Sequence, residues 1–272
     1  MRFLSTRRRH PLAGLVVLLL GLVLTGSAYA VAAPGPSADP LAQDGELVEQ
    51  GRKLFLVGCS SCHGKNGEGV MTQSGGMNGP SLVGVGSAAV EFQVATGRMP
   101  ITQGAEQAPR KDRVFDANET LALSAFVASL GPGPAIPDES EYDPAGLTEE
   151  EIVQGGEIWR TNCTACHNFN ASGGALPNGK NAPSLAGVEP LHMYEAMLTG
   201  PQQMPSFSGL TPEEKRMVIG YVKSLEESPS YGGSSLGSLG PVSEGLFAWL
   251  IGIGALVCVA VWIGASGARV KK

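Results

Sequence analysis

The feature that most constrains this chain is a pentapeptide that occurs twice. Cys59-Ser60-Ser61-Cys62-His63 returns as Cys163-Thr164-Ala165-Cys166-His167, and everything around it returns in the same order. Gly51-Arg52-Lys53-Leu54-Phe55 precedes the first copy as Gly155-Gly156-Glu157-Ile158-Trp159 precedes the second. Gly79-Pro80-Ser81-Leu82-Val83-Gly84-Val85 matches Ala182-Pro183-Ser184-Leu185-Ala186-Gly187-Val188. Thr96-Gly97-Arg98-Met99-Pro100 matches Thr199-Gly200 through Met204-Pro205, and Phe126-Val127-Ala128-Ser129-Leu130 matches Tyr221-Val222-Lys223-Ser224-Leu225. A shared order of features over this length means one small unit built twice. Each unit reads as an opening helix (about 45–57 and 148–162), the Cys/His motif, a long loop, a short helix, a Met-Pro loop and a closing helix (118–130, and from Thr211-Pro212). Thr148 with the acids behind it is the N-cap of its helix, and Pro212 fits a first helical position.

C-x-x-C-H has a chemical reason. Two thiols one helical turn apart can add to the two vinyl groups on one edge of a haem, and the His that follows lies under the ring with its imidazole toward iron. A redox dithiol, half a zinc site or a disulfide would also use C-x-x-C. The His directly after both copies, and the lack of a βαβ pattern around either, favour covalent haem. Cys258 stands apart in an apolar run and reads as a small apolar residue.

A methionine ligand for each iron would sit on a loop well past the motif. Met99 and Met204 lie 36 and 37 residues after His63 and His167, each followed by a proline that stops helix formation. Met71, Met77, Met193 and Met197 are rivals, but the repeat selects Met99 and Met204. His192 has no counterpart in the first unit, which reads as a surface or structural role. Pro80 and Pro183 either make simple turns or offer a carbonyl to the far nitrogen of each imidazole.

The ends belong to a membrane. Arg7-Arg8-Arg9-His10 precedes the apolar run Leu12–Leu24 and a small-residue stretch to Ala33, so residues 1–33 form a signal peptide cleaved after Ala30 or a retained signal anchor. Leu246–Ala265 carries no charge, spans a bilayer at about 20 residues, and has Trp249 and Trp262 near its ends. Arg269, Lys271 and Lys272 in the tail 266–272 place the C-terminus in the cytoplasm and residues 34–243 outside. Seven of the 19 basic residues lie in the two tips, leaving 12 basic against 25 acidic residues, a net of −13. An acidic middle excludes a nucleic-acid partner. Pro- and Gly-rich stretches at 34–43, 131–146 and 228–245 divide the rest into a first unit, 44–130, and a second, 147–227. The fold expected is all-α: two tandem cytochrome c-type haem domains and a C-terminal transmembrane helix. Aromatics make up only 6% of the chain, too few for a β-sandwich or barrel.

Several stretches resemble one family. Asn78-Gly79-Pro80-Ser81-Leu82, Glu91-Phe92-Gln93 and Thr96-Gly97-Arg98-Met99-Pro100 are similar to the dihaem cytochrome c subunit of the actinobacterial cytochrome bc complex (menaquinol–cytochrome c reductase). So are Met197-Leu198-Thr199-Gly200-Pro201-Gln202, Leu210-Thr211-Pro212-Glu213-Glu214-Lys215-Arg216, and Gly240-Pro241-Val242 leading into the tail helix. The resemblance covers about residues 45–272. It implies two covalent haems c, one held by Cys59, Cys62, His63 and Met99, the other by Cys163, Cys166, His167 and Met204. It also implies partners: cytochrome b, a Rieske iron–sulfur subunit, an aa3-type oxidase and membrane lipid. The chain would be the electron-transfer subunit of a quinol–cytochrome c oxidoreductase, with no separate chemistry of its own. A free-standing membrane-anchored shuttle is the alternative. A dihaem peroxidase is disfavoured, because it needs an open sixth site where this chain supplies a methionine.

Overall fold

The structure is a computed structural model and describes residues 12–32, 39–73, 75–101, 107–227 and 241–267. The N-terminal arginines, the Gly/Ser-rich stretch 228–240 and the basic tail fall outside these residues, as do the expectations placed on them.

In both units the helices begin where the side chains dictate. Asp44 accepts from the Leu47 amide at the head of Gly45–Gly58. In the second unit Thr148 and Glu151 form a reciprocal capping box at the head of Glu149–Asn162, satisfying two amides that a helix start leaves bare. Asp116 and Glu119 do the same for the closing helix Ala117–Ala128. Thr211 and Glu214 do it for Pro212–Glu227.

Opening and closing helices cross so closely that only glycine fits. A Cβ on Gly51 would lie 1.8 Å from the Ala122 carbonyl oxygen, and one on Gly155 would lie 2.0 Å from that of Met217. Side chains on either side of each crossing fill the cores. Phe55, Val94, Leu123, Phe126 and Val127 form one, and Trp159, Met193, Tyr194, Met197, Val218, Ile219 and Val222 the other.

The long loop expected after each motif holds a small antiparallel hairpin. Val70–Met71 pairs with Met77–Gly79, and Gly174–Ala175 with Asn181–Ala182. Strands of two or three residues are too short to show an alternating pattern.

The two units pack through equivalent helices, Ser87–Ala95 of the first against Pro190–Thr199 of the second. Phe92 meets the edge of the His192 ring at 6.4 Å between centroids. Gln107 bonds both ways with the Asn181 backbone, its amide donating at 2.7 Å and its carbonyl oxygen accepting at 2.9 Å. The Pro-rich stretch between the units carries a one-turn helix, Glu139–Tyr142, and straps both together. The Ala88 amide donates to the Pro134 carbonyl at 3.1 Å, and Arg216 donates to the carbonyls of Asp143 and Ala145 at 2.6 and 2.8 Å.

Two apolar helices stand apart from this body. Ala13–Ala32 is exposed from Gly14 to Tyr29. Pro241–Gly267 extends the expected Leu246–Ala265 by five residues before and two after. Among the described residues it is the helix long and apolar enough to cross a membrane, and its Gly245–Ala265 window is fully exposed.

Candidate functional site

Each Cys/His motif is a helix end followed by a single turn. Cys59 closes the opening helix, its amide donating to Phe55 at 2.8 Å, and the turn Ser60–His63 then brings the Cys62 and His63 amides back to the Cys59 carbonyl at 3.1 and 3.0 Å. Cys163, Cys166 and His167 repeat this with 2.9, 3.2 and 2.9 Å. Both thiols and the imidazole of each motif therefore leave one turn of backbone. The hairpin packs beneath: a Cβ on Gly79 would lie 2.4 Å from the Cys62 carbonyl oxygen, and one on Gly174 would lie 2.9 Å from that of Cys166.

The structure decides between the two readings of Pro80 and Pro183. His63 Nδ1 lies 2.8 Å from the Pro80 carbonyl oxygen, and His167 Nδ1 lies 3.1 Å from that of Pro183. The carbonyl can only accept, so Nδ1 carries the proton and donates. In the neutral ring this leaves the Nε2 lone pair free, the tautomer an imidazole needs in order to ligate a metal. Burial holds the His167 pKa below its usual value, which keeps the ring neutral.

The first thiol of each motif has the wrong character for a dithiol oxidoreductase. Burial, with the neighbouring cysteine adding to it, pushes Cys59 and Cys163 up to about 11. A redox-active cysteine has its pKa lowered instead.

In the second unit Cys163, Cys166, His167 and Met204 open onto one apolar cleft walled by Trp159, Leu185, Ile219 and Val222. Trp159 is pinned by its indole N–H, which donates to the Phe169 carbonyl at 3.2 Å. A left-handed Gly200 turns the chain into the Met loop, where a Cβ would lie 2.5 Å from the Ser206 amide. In the first unit Cys59 and Met99 pack on the same apolar cluster, beside Phe55 and Val94.

The rival methionines separate on burial and on the repeat. Met71 and Met77 are each 64% exposed on the hairpin. Met193 and Met197 do line the second cleft. Aligning Thr199 with Thr96 puts them at Val90 and Val94, so the other unit fills those positions with core valines. His192 is 7% exposed, buried between the units rather than on the surface.

Three residues of this neighbourhood went unnoticed as site residues in the sequence. Lys111 donates to the carbonyls of Gly97 and Pro100 at 2.8 and 2.6 Å, clamping the Met99 loop from both sides. Arg98 and Arg110, both of the first unit, reach the cleft of the second. Arg98 lies inside a repeated motif, which was a usable signal. Arg110 and Lys111 lie in a segment without a counterpart in the other unit.

A duplicated helical fold with C-x-x-C-H at the end of each opening helix, each His fixed through Nδ1, defines a c-type cytochrome with covalently attached haem c. Residues 48–131 match the family "Cytochrome c", and residues 150–222 match "Cytochrome C oxidase, cbb3-type, subunit III". The "Cytochrome bc1 complex cytochrome c subunit" of Mycobacterium tuberculosis is 44% identical over 265 residues, covering 95% of this chain and 92% of the relative. Those of Corynebacterium diphtheriae and Mycobacterium leprae are 43% and 41% identical, covering 94% and 92% of this chain and 94% and 86% of theirs. The chain belongs to this family, the cytochrome c subunit of the actinobacterial cytochrome bc1 complex, and its role is electron transfer.

Proposed function

We propose that this chain carries two covalent haems c and relays single electrons from a Rieske iron–sulfur subunit to an aa3-type oxidase, beside cytochrome b. One observation carries the reading: two thiols, an imidazole with Nδ1 engaged and a thioether all open onto a single apolar cleft. When bound, haem c supplies a one-electron ferric/ferrous couple. The chain's own residues do the rest. Cys59, Cys62, Cys163 and Cys166 hold it by thioethers, and His63 and His167 offer Nε2. Met99 and Met204 offer soft sulfur, which favours ferrous iron and raises the potential. The Pro80 and Pro183 carbonyls fix the imidazoles, and Lys111 fixes the Met99 loop.

Arg98 and Arg110 suit the anionic edge of the second haem. Neither pairs with a carboxylate among the described residues, and Arg98 lies over the Phe92 ring at 4.7 Å. Arg98 also adjoins Met99, so one dipeptide reaches the second site and supplies the ligand of the first. Removing its charge disfavours the reduced, less positive iron. Arg98→Gln therefore lowers the second haem's potential by on the order of tens of millivolts, from about 1 kcal/mol of lost attraction. Redox titration of the full chain reads this, and an unmoved second potential sinks the assignment.

Residues 34–243 lie on the outer side of the membrane in this reading, with the C-terminus in the cytoplasm. The helix Pro241–Gly267 then holds the haem domains over their donor at high effective concentration. After mild detergent extraction the chain comes away with cytochrome b, the iron–sulfur subunit and the oxidase. A chain that leaves alone is a free anchored shuttle instead.

A further inference from the structure

Between the two units, where His192 borders the cleft of the second motif, two carboxylates and an imidazole converge. Glu91 comes from the helix Ser87–Ala95, and His192 and Glu195 come from Pro190–Thr199. Their ligand atoms all lie within 4.8 Å of one another. Glu195 is fully buried, and neither of its oxygens has a hydrogen-bond partner; Glu91 Oε2 has none either. Among the described residues no lysine or arginine pairs with either acid. With both carboxyls ionised, two acceptors face each other without a donor in a buried interface, at a large desolvation cost; burial and Glu91 push Glu195 up to about 11. Something positive belongs between them.

We propose that Glu91, His192 and Glu195 form a divalent-cation site of zinc type that ties the two domains together. The mixed ligand set fits: one imidazole nitrogen and two carboxylate oxygens suit zinc, whereas calcium and magnesium want oxygen alone. The spacing between the imidazole and Glu91 fits as well. His192 Nε2 lies 3.5 Å from Glu91 Oε2, too long for a good hydrogen bond. It is close to the edge of a tetrahedron around zinc, about 3.4 Å for bonds of about 2.05 Å. On its far side His192 Nδ1 faces the exposed Glu189 carboxylate at 3.8 Å, beyond hydrogen-bond distance. A divalent ion would neutralise both carboxylates and leave the imidazole uncharged. Both units supply ligands, so the ion would bridge them without touching the proposed haem ligands.

The test uses the full haem-loaded chain in detergent, stripped with a chelator and titrated with zinc sulfate against a chromophoric zinc indicator. The expected result is one zinc per chain that Glu195→Gln and His192→Gln each weaken at least tenfold, with the haem absorption of both variants unchanged. The zinc absorption edge should then report nitrogen and oxygen neighbours. If either variant fails to load haem, Glu91→Gln replaces it as the carboxylate test. Zinc binding equal in wild type and variants overturns the proposal, as does sulfur in the zinc shell. No stoichiometric zinc at all also overturns it, leaving a proton shared between Glu91 and Glu195 as what holds the pair.

Discussion

Met204→His and Met99→His each lower the potential of one haem, by on the order of 0.1 V or more, within the roughly 0.8 V over which axial ligands tune haem iron. Imidazole donates more strongly than thioether and favours ferric iron. Each variant should also lose one thioether-to-iron charge-transfer band from the ferric spectrum. The size follows from the ligand position: Met204 opens onto the same apolar cleft as His167, so a change of side chain there acts directly on the iron. Redox titration of the purified full chain checks both. If Met204→His leaves both potentials and the band in place, Met193 or Met197 is the ligand, since these line the same cleft.

Gly51→Ala and Gly155→Ala destabilise their domains by about 2–3 kcal/mol or more each. On an exposed helix the same change would stabilise by up to about 1 kcal/mol. Here the added methyl would stand 1.8 or 2.0 Å from a backbone carbonyl oxygen of the closing helix. No side-chain rotation relieves that, so the helices must separate, and overpacking of this kind typically costs 1–3 kcal/mol and occasionally more. Gly45→Ala is the control, because nothing lies within 4 Å of its Cβ position. Denaturant unfolding, followed through the haem absorption, should rank Gly45→Ala near wild type and the other two well below it. Equal midpoints for Gly51→Ala and Gly45→Ala would refute the close-crossing account.

These glycines show how far the sequence carried the fold. Gly51 and Gly155 fall at equivalent places in the repeat, so their importance was visible, but their reason was not: it lies in a carbonyl some seventy or sixty residues away. The caps were legible because Thr148 and Pro212 act on neighbours within a turn. The motif cysteines and histidines were legible for the same reason. The role of Pro80 and Pro183 stayed open, since only a folded loop brings each carbonyl to its imidazole across 17 or 16 residues. The contact between units was invisible. Equivalent helices pack on each other there, and His192, read as a surface or structural residue, is buried against Glu91. Lys111 escaped because lysines are ordinarily solvated, and only the folded Met99 loop offers it carbonyls.

Both units keep a complete C-x-x-C-H motif, and intact mass tests most directly the proposal that each attaches a haem. The full chain, purified with its haem and denatured, should exceed its polypeptide mass by two haems. Replacing Cys163 and Cys166 together by alanine should bring the excess down to one, with Cys59 and Cys62 still loaded. A wild-type excess of a single haem, or none retained on denaturation, would contradict the two-haem account.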